Sequence, residues 1–194
     1  MHIFVGVPTI GLHINTRLAS WLLRLPRSGE RKFSVMIAND IGNVPAARNF
    51  LCSLFLESDA DRLMFIDYDC CPSPNALHLL SYDEDIVGGT YPTYNGKLSH
   101  PGRDGEFVMM GATLIKRSVL EDRRMCMDSF EDLEKERIPA LFRQVLQSNG
   151  NIIESEDSDF CGRAKATGYS IKFVPTVVFD HIKRIPIGQI SNEG

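Results

Sequence analysis

The chain has 194 residues, 43% hydrophobic and 24% charged, with a formal net charge of −4. That suits a single domain with a substantial core, and it argues against a broad nucleic-acid surface or an anionic-membrane patch. No apolar run approaches the roughly 18 residues of a membrane span, and the start lacks the basic opening and cleavage site of a signal peptide.

Residues 2–7 (His-Ile-Phe-Val-Gly-Val) read as a first buried strand, ended by Pro8-Thr9. Asn15 or Thr16 caps a helix carrying Leu18, Leu22 and Leu25 on one face, with Trp21 as partial core and Pro26 as the stop. Residues 32–38 alternate Phe33, Val35 and Ile37, a second strand, and the polar loop 39–43 follows. Pro45 fits the first turn of a second helix with Ala47, Leu51, Leu54 and Phe55 facing inward. Leu63-Met64-Phe65-Ile66 is then a continuous apolar strand that runs into Asp67 and Asp69. Ser73-Pro74 opens a short helix, and residues 85–88 form a fourth strand.

Strand and helix alternate throughout this half, which predicts an α/β fold with a mostly parallel, Rossmann-like sheet and helices on both faces. The second half is less periodic. Residues 90–105 read as a loop or short hairpin over the site, with Tyr91, Tyr94 and His100 in it. Residues 106–116 read as one long strand whose Gly111-Ala112 leaves room for a close approach. The charged run 121–138 reads as a solvated face, and residues 139–148 as a helix ended by Asn149-Gly150. Ser155 caps a helix over 156–167 ended by Gly168. Strands over 169–174 and 176–179 follow, separated by Pro175, and Asp180-His181 comes next.

The chemistry gathers at Asp67 and Asp69. In open α/β sheets, ligands bind at the carboxyl ends of the strands. Two carboxylates there repel unless a cation lies between or beside them. A hard divalent ion with oxygen ligands, shared with substrate phosphates, meets that need. The pair therefore marks a metal–diphosphate site. Asp-x-Asp alone also fits a solvated loop opening. Cysteines 52, 70, 71, 126 and 161 are odd in number and lack zinc-ligand spacing. They indicate a reducing, cytoplasmic setting. Cys70 and Cys71 read as small packing residues.

Seven stretches taken together resemble the small GT-A glycosyltransferases, near the family-2-like branch that uses nucleotide-diphosphate sugars. They are Val5-Gly6-Val7-Pro8-Thr9, Ala47-Arg48-Asn49, Phe65-Ile66-Asp67-Tyr68-Asp69, Ile86-Val87-Gly88-Gly89-Thr90-Tyr91-Pro92, Gly111-Ala112-Thr113-Leu114-Ile115, Glu156-Asp157-Ser158-Asp159-Phe160-Cys161 and Asp180-His181. The resemblance implies one GT-A domain, with residues 1–92 as the nucleotide-binding half and 93–194 as the acceptor-side half. It implies Mn²⁺ or Mg²⁺ held by Asp67, Asp69 and His181, with Asp67 on the ribose or acting through a metal-bound water. Pro8, Thr9 and Asp40 would line the base and ribose pocket, and Arg48 would meet a phosphate.

Glu156 and Asp157 fall in the first turn of their helix, where carboxylates are ordinary capping chemistry. The resemblance turns this pair toward the acceptor. Asp157 is then the general base in an inverting course and an acceptor-positioning group in a retaining one, with Glu156 or Asp159 in reserve. The implied partners are a nucleotide-diphosphate sugar and a glycan, lipid or protein acceptor. A sugar nucleotidyltransferase is the alternative enzyme, but Pro8 to Asn15 lacks a basic, glycine-rich phosphate loop. An aspartate-nucleophile phosphatase would carry its Asp pair after the first strand. A non-catalytic nucleotide-sugar-binding module is the remaining alternative. His181 by spacing alone is a surface histidine after a strand.

Overall fold

The structure is a computed structural model that describes residues 1–9, 11, 13–92, 107–126, 129–131, 137–146 and 152–182. The chain runs β1 (His2–Pro8), α1 (Thr16–Leu23), β2 (Lys32–Ala38), α2 (Val44–Glu57), β3 (Arg62–Ile66), β4 (Cys70–Pro72) and a 3₁₀ helix (Ala76–Ser81). It continues through β5 (Ile86–Thr90), β6 (Ala112–Lys116), α3 (Arg117–Glu121), β7 (Ser129–Glu131), β8 (Arg137–Pro139), β9 (Val145–Leu146), β10 (Ile152–Glu154), α4 (Glu156–Thr167) and β11 (Ile171–His181). Asn15 caps α1 and Asn43 caps α2. Ser155 caps α4, which ends on the left-handed Gly168. Among the described residues no helix is long and apolar enough to cross a membrane.

Among the described residues the main sheet has seven strands in the order β2-β1-β3-β6-β5-β11-β4. β1, β2, β3, β5 and β11 run one way, while β6 and β4 oppose them. Both faces are covered, as the sequence predicts. Alternate residues of each strand point to opposite faces. Phe4, Leu63, Phe65 and Ile115 therefore join α2, α3 and α4 in one core, through Leu51, Phe55, Val119 and Phe160. Ile3, Val5, Met64, Ile66 and Leu114 join α1 and the 3₁₀ helix in the other, through Leu18, Leu22 and Leu79. Five residues of β3 and β6 pair directly, so an antiparallel strand separates β3 from β5.

Three predicted elements differ. The strand expected over 106–116 begins only at Ala112. Residues 110–111 form a turn instead, with the Ala112 amide donating to the Met109 carbonyl at 3.2 Å. The helix expected over 139–148 is absent from the described part of that span, 139–146: residues 141–144 are irregular and Val145–Leu146 is strand. Asn49 on α2 is the reason. Its buried Oδ1 accepts from the amides of Leu141 (2.9 Å) and Phe142 (2.8 Å), and its Nδ2 donates to the Phe142 carbonyl at 2.8 Å. These tertiary bonds take up the backbone groups that helical bonds would need. The two C-terminal strands are one, β11, with Pro175 inside a register shift between Phe173 and Val178. Tyr94, His100 and residues 147–150 lie outside the described residues.

Truncating Asn49 would remove the partner of the Phe142 amide and carbonyl, at roughly 1–3 kcal/mol for each such group before relaxation, while the Leu141 amide keeps its 3.1 Å bond to the Pro139 carbonyl. We expect Asn49→Ala to lower the unfolding free energy by about 3 kcal/mol in urea denaturation, with Asn49→Asp intermediate.

Candidate functional site

From β1 the chain passes to β2 on one side and then back beyond β1 to β3 on the other. That reversal opens a crevice at the carboxyl ends of β1 and β3, where open α/β sheets bind ligands. Gly6 pairs with Phe65, so two residues further along come Pro8 on one strand and Asp67 on the other. Thr9 is buried. Its amide donates to the Ala38 carbonyl at 3.0 Å, and its hydroxyl lies 2.8 Å from the Gly11 carbonyl and 3.0 Å from Asn39 Oδ1. Asp40 is exposed in the adjoining loop, with a left-handed backbone (φ 58°). Pro8, Thr9 and Asp40 thus share one sheet edge with Asp67.

The centre of the site is Arg48 on α2, whose side chain is 2% exposed. Its Nη2 donates to Asp67 Oδ1 at 3.0 Å. Its Nη1 donates to Glu156 Oε1 at 2.7 Å and to Asp157 Oδ1 at 2.8 Å. The guanidinium carbon lies 5.9 Å from the Phe65 ring centroid and 6.0 Å from that of Phe142. A residue expected to meet a phosphate therefore spends its terminal donors on three carboxylates. Burial acts most strongly on Arg48 and disfavours its charge, but Asp67, Asp157 and Glu156 outweigh it and hold the pKa above the ordinary arginine value.

The carboxylates answer differently. Asp67 keeps 24% of its side chain open to solvent, yet burial of the remainder raises its pKa against the pull of Arg48. Asp157 is 13% exposed. Burial raises its pKa to about 6 against the pull of Arg48, and Glu156 and Asp67 push it further. Asp157 Oδ2 also accepts from the Met110 amide at 3.2 Å, so the turn that shortens β6 fixes its second oxygen. Gly111 in that turn lies so close to Asp67 that a Cβ there would fall 2.4 Å from Oδ2. The room foreseen at Gly111 is filled by the aspartate. Asp159 faces elsewhere: Arg143 and Arg163 bind its two oxygens, at 3.0 Å and 2.7 Å, which leaves it out of this cluster.

Asp69 and His181 meet on the other side of the Asp67–Cys70 turn, which the Cys70 amide closes by donating to the Asp67 carbonyl at 2.9 Å. β4 then pairs antiparallel with β11 and sets Cys70 opposite His181. His181 Nδ1 is 2.8 Å from the Pro92 carbonyl, and Nε2 is 2.9 Å from Asp69 Oδ2. A carbonyl only accepts, so Nδ1 carries a hydrogen toward Pro92, and Nε2 faces Asp69. At that distance either a proton on Nε2 or a cation joins the ring to the carboxylate. A histidine that donates its other N–H to a carbonyl is the usual support of a metal ligand. Ligand atoms of Asp69, Cys70 and His181 all lie within 4.8 Å of one another. The Tyr91 ring packs edge-on to His181 at 5.1 Å. Asp67 is absent from this group because Arg48 holds it. Two contributors carry no sequence signal: the Pro92 carbonyl and the Met110 amide. Cys70 could have been found from its place beside Asp69.

The molecule is thus a mixed α/β domain with an acidic cluster at the carboxyl rim of its sheet. Among solved structures it is similar to A197 from STIV (18% identity, TM-score 0.58), over 96% of this chain and 98% of that one. It is also similar to S. aureus TarS 1–349 in complex with UDP-GlcNAc (12% identity, TM-score 0.61), over 96% of this chain and 60% of TarS 1–349. At these identities the likeness is one of fold. No protein-family description and no curated protein sequence matches the chain.

Removing one partner of a buried ionic cluster costs about 3–5 kcal/mol. We expect Arg48→Met to destabilise by that amount at pH 7 and to recover part of it as pH falls below about 6, where Asp157 is protonated. In the native protein the folded pKa of Asp157, about 6, lies above its unfolded value. Its contribution to stability is then complete below about pH 4 and lost as pH rises through 6. Thermal unfolding against pH reads both effects, and Asp157→Asn should flatten the fall between pH 4 and 7. Gly111→Ala should displace Asp67 and destabilise by about 1–3 kcal/mol, the usual cost of overpacking.

Proposed function

We propose that the protein is a metal-dependent glycosyltransferase of the GT-A class that moves a sugar from a nucleotide-diphosphate donor to a hydroxyl acceptor. The observation that carries this reading is Arg48 drawing Asp67, at the end of a β-strand, together with Glu156 and Asp157, at the start of α4. Asp67 follows β3 at the rim where a nucleotide would lie, and Glu156 and Asp157 open α4 in the half assigned to the acceptor. The shared fold with TarS, solved holding UDP-GlcNAc, supports the same reading. Residues 1–92 serve as the nucleotide half and 93–194 as the acceptor side of one domain, and the cysteine content argues for the cytoplasm.

In this reading Pro8, Thr9 and Asp40 border the base and ribose, and Asp67 takes the ribose or a metal-bound water. Asp69 and His181 hold Mn²⁺ or Mg²⁺. A carboxylate and an imidazole nitrogen that face each other at 2.9 Å are a donor pair for such an ion, which would take the place of any proton on Nε2. When bound, the ion neutralises charge growing on the departing nucleoside diphosphate. Asp157 accepts the proton of the acceptor hydroxyl. A carboxylate whose pKa is near 6 holds that proton better than an ordinary one and is still mostly ionised at pH 7. Arg48 keeps its oxygens in place and is a positioning residue, not a proton carrier. Glu156, bound to the same nitrogen of Arg48, is the neighbouring carboxylate that could assist the acceptor.

Thermal shift or calorimetry with UDP-, GDP- and CDP-sugars, with and without Mn²⁺, tests the proposal. One nucleotide class should stabilise the protein in a metal-dependent way, by about 2.7 kcal/mol at a hundredfold excess over Kd. Asp69→Ala should lose the metal-dependent part. Asp157→Asn should retain donor binding and lose transfer, by about 10²–10⁴-fold, the usual worth of a general base. Full metal-dependent donor binding by Asp69→Ala would remove the central assignment.

A further inference from the structure

We propose that Cys70 is a third ligand beside Asp69 and His181, and that its thiolate biases the site toward zinc-class ions. The proposal rests on the metal assignment above for its location but not on the transfer reaction. β4 and β11 pair in a register that puts Cys70 directly across from His181. Residues paired across adjacent strands lie on one face of the sheet, so the thiol and the imidazole share a side. The Cys70 sulfur, the Asp69 carboxylate and the His181 ring nitrogen lie within 4.8 Å of one another. The second observation is the orientation of the ring. Nδ1 lies 2.8 Å from the Pro92 carbonyl, which aims Nε2 into the group. Three unlike donors therefore converge, and one of them is supported from behind as metal-bound histidines are.

The donor set decides the ion. Carboxylate and water suit Mg²⁺ and Mn²⁺, whereas a thiolate is soft and suits Zn²⁺ or Co²⁺. Cys70 is 1% exposed and lies in an apolar cluster with Ile66, Ala112 and Phe179. An apolar setting disfavours a bare thiolate, so coordination removes the thiol proton, and the bound ion's charge replaces it while the proton passes to solvent. Three protein ligands are the number that catalytic zinc sites use, with one position left for water or substrate. Zinc outcompetes manganese at nearly any site of nitrogen, oxygen and sulfur ligands, so the order of affinity says nothing about Cys70. The width of the gap does.

The test uses the full chain without nucleotide. Co²⁺ titration should produce the near-ultraviolet sulfur-to-cobalt absorption of a bound thiolate, and Zn²⁺ should abolish it. Cys70→Ala should lack the band, and Cys71→Ser should keep it. The zinc-to-manganese affinity ratio should fall at least about tenfold in Cys70→Ala, because a soft donor is lost. Absence of the band in the native protein, an unchanged band in Cys70→Ala, or an unchanged ratio overturns the proposal. If Cys70→Ala fails to fold, X-ray absorption of the zinc-loaded native protein decides: a sulfur at about 2.3 Å upholds the assignment, and a shell of nitrogen and oxygen alone overturns it. A protein with the cobalt band that binds no nucleotide sugar would sink the transferase reading and leave this one standing.

Discussion

A buried guanidinium facing three carboxylates is the interaction on which the site depends. Taking an ion out of water costs several kcal/mol, and the cost is recovered only where geometry and hydrogen bonding are good. Arg48 meets that condition with Asp67, Glu156 and Asp157 at 2.7–3.0 Å. The count is unbalanced, however. If all three acids ionise, one positive charge faces three negative ones. Burial raises the pKa values of Asp157 and Asp67, and the neighbouring acids add to the rise.

The same helix joins the two halves of the chain. Arg48 and Asn49 are consecutive on α2. The first gathers residues 67, 156 and 157, and the second clamps residues 141 and 142. Phe142, placed by that clamp, stacks on Phe160 of α4 at 4.5 Å and meets Phe65 of β3 edge-on at 5.6 Å. Phe142, one of the two rings that flank Arg48, is thus positioned by the neighbour of Arg48 in sequence. Such a site is rigid because its apolar walls and its ion pairs share the same backbone. Rigidity of this kind is what positions groups for a reaction, since a carboxylate displaced by an ångström loses most of its benefit.

Both ends of the chemistry also depend on the antiparallel strands. β6 follows the turn whose Met110 amide holds Asp157 and whose Gly111 gives Asp67 its space. β4 pairs with β11 and brings residue 181 to residues 69 and 70. A purely parallel sheet would have placed the aspartates at its rim, but without these partners.

The sequence by itself determined the local elements: the strand into Asp67, a cap at Asn15 or Thr16, the cap Ser155, the Gly168 stop, and the alternation that covers both faces. These follow from side-chain periodicity and capping, which act over a few residues. It also marked Asp67, Asp69, Asp157 and His181 as worth following. Only the tertiary structure decided what those residues touch. Arg48 meets carboxylates 19 and more than a hundred positions away, and no local pattern records that choice. Asn49 overrides the helical tendency of residues 139–148, and the strand after Phe107 yields to a turn because Asp67 needs the space. Long-range hydrogen bonds and steric contacts outweigh local propensity, which is worth at most about 1 kcal/mol per residue for anything but proline.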